Sequence, residues 1–344
     1  MAQVQPTLTD GVIALRPWRD EDVEAAVAGH DDETALWLGW DATDVSVERL
    51  RERVGQWRED FDADRRRSSF VVEHEGRVVG SVEVTLRQQG TGELRWTLYA
   101  GNRGRGFASR AVRVLVDWAF AEEAEGGLGL QRVEARIDPR NEAGRRVATR
   151  AGLRLEGTQR IVPGSGDRAD STGAMVYARL VSDPPLSDPE SFRALLNSFL
   201  PRKRAIGQLL VRDPDGRVLL CRLTYKQDWD LPGGVVEVGE SPRTAVEREV
   251  EEELGLRLRA ESLLLTDWLP PWGGWDDALC LVFDGGIHEP KLLDGVVKQE
   301  REIREVRFCS LEEVDELAAD FTARRVRAAV ATEGAPYTES GRAR

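Results

Sequence analysis

The chain has 344 residues, 41% of them apolar and 32% charged, and a formal net charge of −13. This is the composition of a folded globular protein long enough for two domains, each able to bury its own core. The negative balance argues against a broad nucleic-acid footprint, which needs a basic surface. Three cysteines (Cys221, Cys280 and Cys309) form neither an even set nor a metal-like spacing, so a reduced, cytoplasmic protein without a disulfide framework is expected. The opening residues lack a basic, apolar leader and no run of 18 apolar residues occurs, so neither a signal peptide nor a membrane span is expected.

In chain order, residues 12–15 form a short apolar run, and 20–27 and 47–61 have the periodicity of amphipathic helices. Residues 69–73, 78–86 and 93–99 alternate as strands do, 108–122 is a long apolar-periodic helix, and 133–137 is a strand. A helix over 142–150 ends at Gly152, and strands follow over 154–160 and 174–180. The Pro- and Asp-rich residues 181–190 read as a linker, and 191–200 as a short amphipathic helix open to use as a tether, a brace or a homodimer contact. A second α/β unit runs from Ala205 to about Ala331, and the polar tail 332–344 is expected to be frayed. His30, His74 and His288 match no metal spacing.

The run from Gly234 to Leu256 carries the strongest chemical signal. Glu240 lies six residues after Gly234, followed by Arg248-Glu249-Val250, Glu252-Glu253 and Gly255-Leu256. Ser241 and Pro242 are a helix start and Gly255 a helix stop. Glu249, Glu252 and Glu253 stand at i, i+3 and i+4, so one helix face carries three carboxylates. That arrangement repels itself unless a cation compensates, and hard oxygens at this density suit Mg²⁺ or Mn²⁺. The run resembles the Nudix box at every defined position. The resemblance implies an α/β/α sandwich over about 204–331 that cuts a pyrophosphate linkage in a nucleotide-like substrate. It also implies that Glu249, Glu252 and Glu253 hold the metal, that Glu240 joins them directly or through water, and that Arg248 pairs with an acid of the box. The turn 231–234, with Gly234, would bring backbone amides to the phosphates. Glu300 and Glu302 are alternatives for the general base. Of Trp268, Trp272 and Trp275, in a Pro/Gly-rich loop, two are expected to pack and one, unspecified, to stack a base; Trp229 is expected to be structural.

Arg103-Gly104-Arg105-Gly106-Phe107-Ala108 joins a strand to the long helix. It is no dinucleotide fingerprint, since Ser109 replaces the third glycine, and no P-loop, since Gly-Lys-Ser/Thr is missing. A glycine turn opening a helix still presents free N–H groups to an anion. In this context it resembles the acetyl-CoA site of the GNAT acyltransferases. Asp138-Pro139-Arg140-Asn141, the later 151–157 segment and the opening 15–22 resemble the ribosomal-protein N-acetyltransferase branch. The resemblance covers about 10–182 and implies a mixed sheet with helices, acetyl-CoA on the 103–108 turn, Asn141 on the pantetheine arm and an amine acceptor. Glu93 is the candidate base, and Trp37 and Trp40 lie where the acceptor pocket would be. The pattern departs at two positions: Gly144 stands where a serine is common, and Ala148 where many members carry a tyrosine acid. The expected fold class is therefore α/β (α+β) in two domains, joined by a linker over 183–203. A second reading leaves the first domain as an acyl-CoA-binding regulator without turnover, and a third makes the second domain a nucleotide sensor.

Overall fold

The computed structural model describes residues 4–38, 46–88, 90–160, 173–224, 228–331 and 336–343, and the chain forms two units, Met1–Leu200 and Pro201–Arg344, each with its own sheet.

The first unit runs β1 (Leu8–Thr9), β2 (Ala14–Arg16), α1 (Asp22–Gly29), α2 (Asp32–Leu38), α3 (Val47–Asp64), β3 (Arg67–His74), β4 (Arg77–Leu86) and β5 (Thr91–Leu98). It continues with α4 (Phe107–Phe120), β6 (Arg132–Ile137), α5 (Glu142–Arg150), β7 (Arg154–Gln159), β8 (Ala174–Leu180) and α6 (Pro189–Phe199). Its eight strands lie in the order β1-β2-β3-β4-β5-β6-β8-β7, antiparallel except for β5 and β6. Strand alternation sets the layers. Phe70 and Val72 of β3 turn to α4, which buries Ala111, Val112, Leu115 and Ala119 along one stripe, and Trp118 meets Phe70 edge-on at 5.3 Å. Val71 turns to the other face, against Val23 and Ala26 of α1 and Leu50 and Val54 of α3.

The second unit runs β9 (Arg204–Arg212), β10 (Val218–Leu223), β11 (Trp229–Asp230), β12 (Gly233–Val235), α7 (Pro242–Leu254), β13 (Leu263–Leu269) and β14 (Ala278–Ile287). It ends with β15 (Ile303–Cys309), α8 (Leu311–Leu317), α9 (Asp320–Val330) and β16 (Tyr337–Glu339). The main path of its sheet is β11-β10-β9-β14-β13-β16, with β12 on β9 and β15 on β10. Leu209 and Val211 of β9 pack with Val246, Val250 and Leu254 of α7, while Leu210 packs with Val314 of α8 and Val326 of α9. The result is the α/β/α sandwich expected for this half.

One segment differs from the sequence-based expectation, and the helix expected over 191–200 takes one of the roles left open for it by docking on the sheet. The tail is ordered where it is described: β16 runs parallel to β13, and buried Thr338 donates to Asp267 at 2.7 Å. Asp267, fully buried, also accepts from Arg325 at 2.8 Å and from the Gly341 N–H at 2.8 Å. A buried carboxylate needs such partners, and they recruit a polar strand that no hydrophobic pattern announces. The presumed linker contains a docked helix. Asp188 caps α6 through the N–H groups of Glu190 and Ser191, Leu195 is buried, and the Ser198 hydroxyl accepts the Leu155 N–H of edge strand β7 at 3.2 Å. Satisfying an edge N–H this way closes that side of the sheet. No helix among the described residues is long and apolar enough to cross a membrane.

Candidate functional sites

In the second unit, the acidic helix α7 starts where Ser241 accepts the Thr244 N–H at 3.2 Å, with Pro242 in its first turn, and stops at Gly255, φ 67°. It sits unusually close to the sheet. A Cβ on Gly234 would lie 2.5 Å from the Glu249 carboxyl carbon, and one on Gly207 would lie 2.9 Å from the Pro242 carbonyl oxygen. The backbone contact leaves room only for glycine at 207, and a side chain at 234 would displace the Glu249 carboxylate. The close approach buries Glu253 to 5% exposure, where it accepts the Gly233 N–H. Burial, together with the charges of Glu249, Glu302 and Asp230, pushes its carboxyl up to about 8. Burial also raises Glu249, aided by Glu252 and Glu302 and opposed by Arg248.

Arg248 grips Glu240 with two hydrogen bonds, 3.0 and 3.1 Å, and reaches Glu252 at 2.9 Å and Glu249 at 3.0 Å. Both Glu240 oxygens are therefore committed to a guanidinium, which lowers that carboxyl's pKa, and direct ligation of a metal by Glu240, one of the expected routes, does not match this arrangement. Among the described residues, no three His, Cys, Asp or Glu side chains are gathered closely enough to hold a metal ion. Glu249 and Glu253 are nonetheless crowded by other acids, a repulsion that a hard divalent cation would relieve. Glu302, half-buried, adds to that crowding, whereas Glu300 is exposed. Sequence reasoning missed Asp230, which accepts from Gln208 at 2.8 Å and adds to the charge felt by Glu253. Its signal was an acid immediately before the 231–234 turn. Of the loop tryptophans, Trp268 is half-buried, but Trp272 and Trp275 are both exposed, two rather than the single one expected. Trp229 is buried under Arg307.

In the first unit, β5 and β6 pair only over Thr91–Glu93 and Arg132–Glu134. Beyond Glu93 they diverge, and a cleft of about 550 Å³ opens between them. The N-terminus of α4 faces it: Gly104 and Gly106 are left-handed, φ 77° and 83°, and no side chain caps the helix. Gly104, Gly106 and Ala108 line the cleft; Arg105 and Phe107 do not. Phe107 is instead in the core, with the Arg105 guanidinium 4.7 Å from its ring centre. Arg103 reaches the cleft, but its guanidinium is held by Asp31 at 2.7 and 2.8 Å, Glu33 at 2.7 Å and Thr34 at 2.8 Å. That pairing holds the Asp31 carboxyl far below the carboxylate range, so Arg103 braces the turn against α2 rather than offering charge to a ligand.

Asn141 caps α5 by accepting the Gly144 N–H at 2.8 Å, and both line the cleft. A Cβ at Gly144 would meet the Asn141 side chain at 2.9 Å. Ala148 is fully buried. Glu93 lines the cleft, buried to 6% exposure, and is clamped by Arg87 at 2.6 and 2.9 Å, with Arg95 at 3.5 Å and Arg136 at 4.0 Å. Burial alone would raise its pKa, but these arginines outweigh it and leave it lowered. Such a carboxylate is a weak base, contrary to the role expected for it. Trp37 lines the cleft; Trp40 lies outside the described residues.

A second cavity, about 220 Å³, also touches Arg95–Thr97 of β5. Trp18, Trp57, Glu83 and Tyr99 line it, and the buried Tyr99 hydroxyl has no hydrogen-bond partner among the described residues. Sequence reasoning did not find it; Ser69, Ser81 and Glu83, polar breaks in apolar strands, were the available signal.

Comparison with known proteins gives two family matches, an acetyltransferase (GNAT) domain over residues 13–154 and a NUDIX domain over residues 201–330. The chain is 31% identical over 119 residues to the probable N-acetyltransferase YjcK of Bacillus subtilis, covering 33% of this chain and 63% of that protein. It is 38% identical over 93 residues to the nucleoside triphosphatase NudI of Escherichia coli, covering 26% and 61% respectively. A MutT-like protein of Streptomyces ambofaciens is 44% identical over 59 residues, 17% of this chain and 38% of that protein. Each alignment thus spans less than two thirds of the relative. Among solved structures, Mycobacterium smegmatis RimJ in complex with CoA-disulfide aligns with a TM-score of 0.45 at 21% identity, over 55% of this chain and 93% of that one.

The Glu253 environment has a measurable consequence. Its carboxyl is raised from an ordinary 4.5 to about 8, so between these values the folded chain holds a proton that the unfolded chain releases. Stability of the second unit therefore falls as pH rises through that window. In buffer containing a chelator, Glu253→Gln is expected to melt higher than the parent at about pH 8 and close to it at about pH 4.5. Parallel melting curves at both pH values would contradict the assignment.

Proposed function

Because the chain carries an acetyltransferase (GNAT) domain followed by a NUDIX domain, we propose an enzyme of two activities. Its second unit hydrolyses a pyrophosphate linkage in a nucleotide-like substrate with Mg²⁺ or Mn²⁺; its first transfers an acetyl group from acetyl-CoA to an amine. The hydrolase reading rests chiefly on the crowded carboxylates Glu249 and Glu253 beneath the Gly233–Gly234 strand. A divalent cation, when bound, supplies the positive charge that polarises the phosphates and acidifies a water. Glu249 and Glu253 would hold it, with Glu252 at the solvent side. Arg248 fixes the Glu240 loop to the helix. Glu302 is the base we favour over Glu300, since its charge reaches Glu249 and Glu253. It takes the proton of the attacking water as the new P–O bond forms and the P–O–P bond breaks.

Release of phosphorylated products from nucleoside triphosphates, ADP-ribose, nucleotide sugars and dinucleoside polyphosphates, separated by chromatography, tests this. Metal-dependent release is expected to fall on the order of 10²-fold in Glu252→Gln. Equal release by parent and variant would overturn it.

For the first unit, the uncapped α4 N-terminus supports acetyl-CoA binding, with backbone N–H groups turned to the pyrophosphate. The acceptor amine would then approach from the cavity across β5. The clamped Glu93 and buried Ala148 favour a second reading, an acyl-CoA-binding unit without turnover. Gly104 is left-handed with open space around its Cβ position, a conformation aspartate tolerates. Gly104→Asp therefore puts a carboxylate at the phosphate seat without refilling the core. Titration should show acetyl-CoA affinity at least about tenfold weaker, with the chain still folded and its unfolding midpoint lowered only by the left-handed strain, roughly 1 kcal/mol. Unaltered affinity contradicts the site; turnover of any amine by the parent excludes the binding-only reading.

A further inference from the structure

The β13–β14 connection carries two indoles that the core does not use. Trp272 and Trp275 are 62% and 58% exposed. Their backbones exchange hydrogen bonds of 3.1 and 2.9 Å as an antiparallel pair. Between them Gly273 and Gly274 are both left-handed, φ 57° and 87°, as a two-residue type I′ turn requires. The exposure is therefore built in: a tight hairpin presents both indoles from one face of the ribbon. Each also has a brace. Trp272 meets the Phe321 ring of α9 at 5.8 Å and 63°. The Arg204 guanidinium, which also donates to the Asp276 carbonyl at 3.0 Å, lies 4.9 Å from the Trp275 ring centre. Lys203 pairs with Asp277 beside it.

The position of the hairpin indicates what covers it. Along β9, Gly207 is opposite Gly234 and Ile206 opposite Val235, and the Ala205 carbonyl accepts the Val236 N–H at 3.0 Å. On the other side of β9, Ala278 is opposite Arg204. The loop leading to Glu240 and the tryptophan hairpin therefore leave the sheet at the same end, flanking Arg204. Arg204 is three residues from Gly207, or about 10 Å at ~3.3 Å per residue, from the place where Gly234 meets the Glu249 carboxylate. Residues three apart on a strand face opposite sides of the sheet, so a ligand that reaches both the hairpin and the acidic helix passes round this end of the sheet.

We propose that the Trp272–Trp275 hairpin is the platform on which the aromatic base of the hydrolase substrate stacks, with Arg204 beside it. This rests on the NUDIX reading above and narrows it: the substrate is a nucleotide whose base lies at the end of the sheet where the loop to Glu240 also leaves it. Stacking is sequence-tolerant, since every base has a π-face, so the platform admits more than one base and rejects substrates lacking one.

The test compares kinetics on the nucleotide that the panel selects with kinetics on base-free tripolyphosphate, in the full chain. Trp272→Ala/Trp275→Ala is expected to raise KM for the nucleotide roughly tenfold or more, with kcat and tripolyphosphate turnover near the parent's, and Trp275→Tyr to recover part of the loss. Nucleotide should also quench tryptophan fluorescence in the parent and not in the double variant. Quenching without hydrolysis in the parent would refute the hydrolase reading and leave the platform standing. Parental KM and quenching in the double variant would refute the platform. If that variant also sedimented as a smaller species than the parent, the hairpin would be a contact between copies of the chain.

Discussion

The second unit is organised around one costly contact: a helix rich in glutamate lies so close to the sheet that a carboxylate is buried with other acids around it. Gly207 and Gly234 permit the approach, Ser241 and Gly255 fix where the helix starts and stops, and Val246, Val250 and Leu254 hold its apolar side on β9. Arg248 offsets part of the charge from the solvent side, but Glu253, behind it, accepts one backbone N–H and remains crowded by Glu249, Glu302 and Asp230. An apolar residue at 253 would pack there without that penalty. The penalty is understandable if a cation completes the arrangement, since strained groups concentrate where function needs them.

The first unit opens its sheet rather than crowding it. Two parallel strands that stayed paired would bury their edges in each other; here they separate after three residues, and a helix N-terminus fills the far end of the gap with unpaired N–H groups. Some of the positive charge near the cleft is taken up by the protein itself, while Arg146 and Arg150 also line it. Arg103 is spent on Asp31 and Glu33, and Arg87, Arg95 and Arg136 surround Glu93.

What the sequence revealed and what it concealed follow from the range of the interactions. The α7 start, its stop and its carboxylate face were legible, because caps and i, i+3, i+4 spacing are local. The glycine turn before α4 was legible for the same reason. The fate of Arg103 was not, since its partners lie some 70 residues earlier, and a motif cannot say whether its arginine faces a ligand or an acid of its own fold. The role expected of Glu93 failed likewise: its clamp comes from β5, β6 and the end of β4, assembled only by the sheet. The polar strand β16 was read as a tail, and the helix α6 was expected but its docking was left open. What orders them is a buried carboxylate on β13 and an open strand edge on β7. The exposed tryptophans were visible as residues, but the type I′ hairpin that holds both outward depends on two backbone angles in Gly273 and Gly274.

The claim on which most rests is that the acidic contact around Glu253 is completed by a divalent cation. Calorimetric titration of the chain with Mn²⁺ near neutral pH, repeated in buffers of different ionisation enthalpy, tests it directly. Glu253 retains its proton up to about 8 in the absence of metal, so binding should release a proton and the apparent enthalpy should vary with the buffer, an effect that vanishes in Glu253→Gln. Binding with no proton release, or no binding at all, would contradict the account.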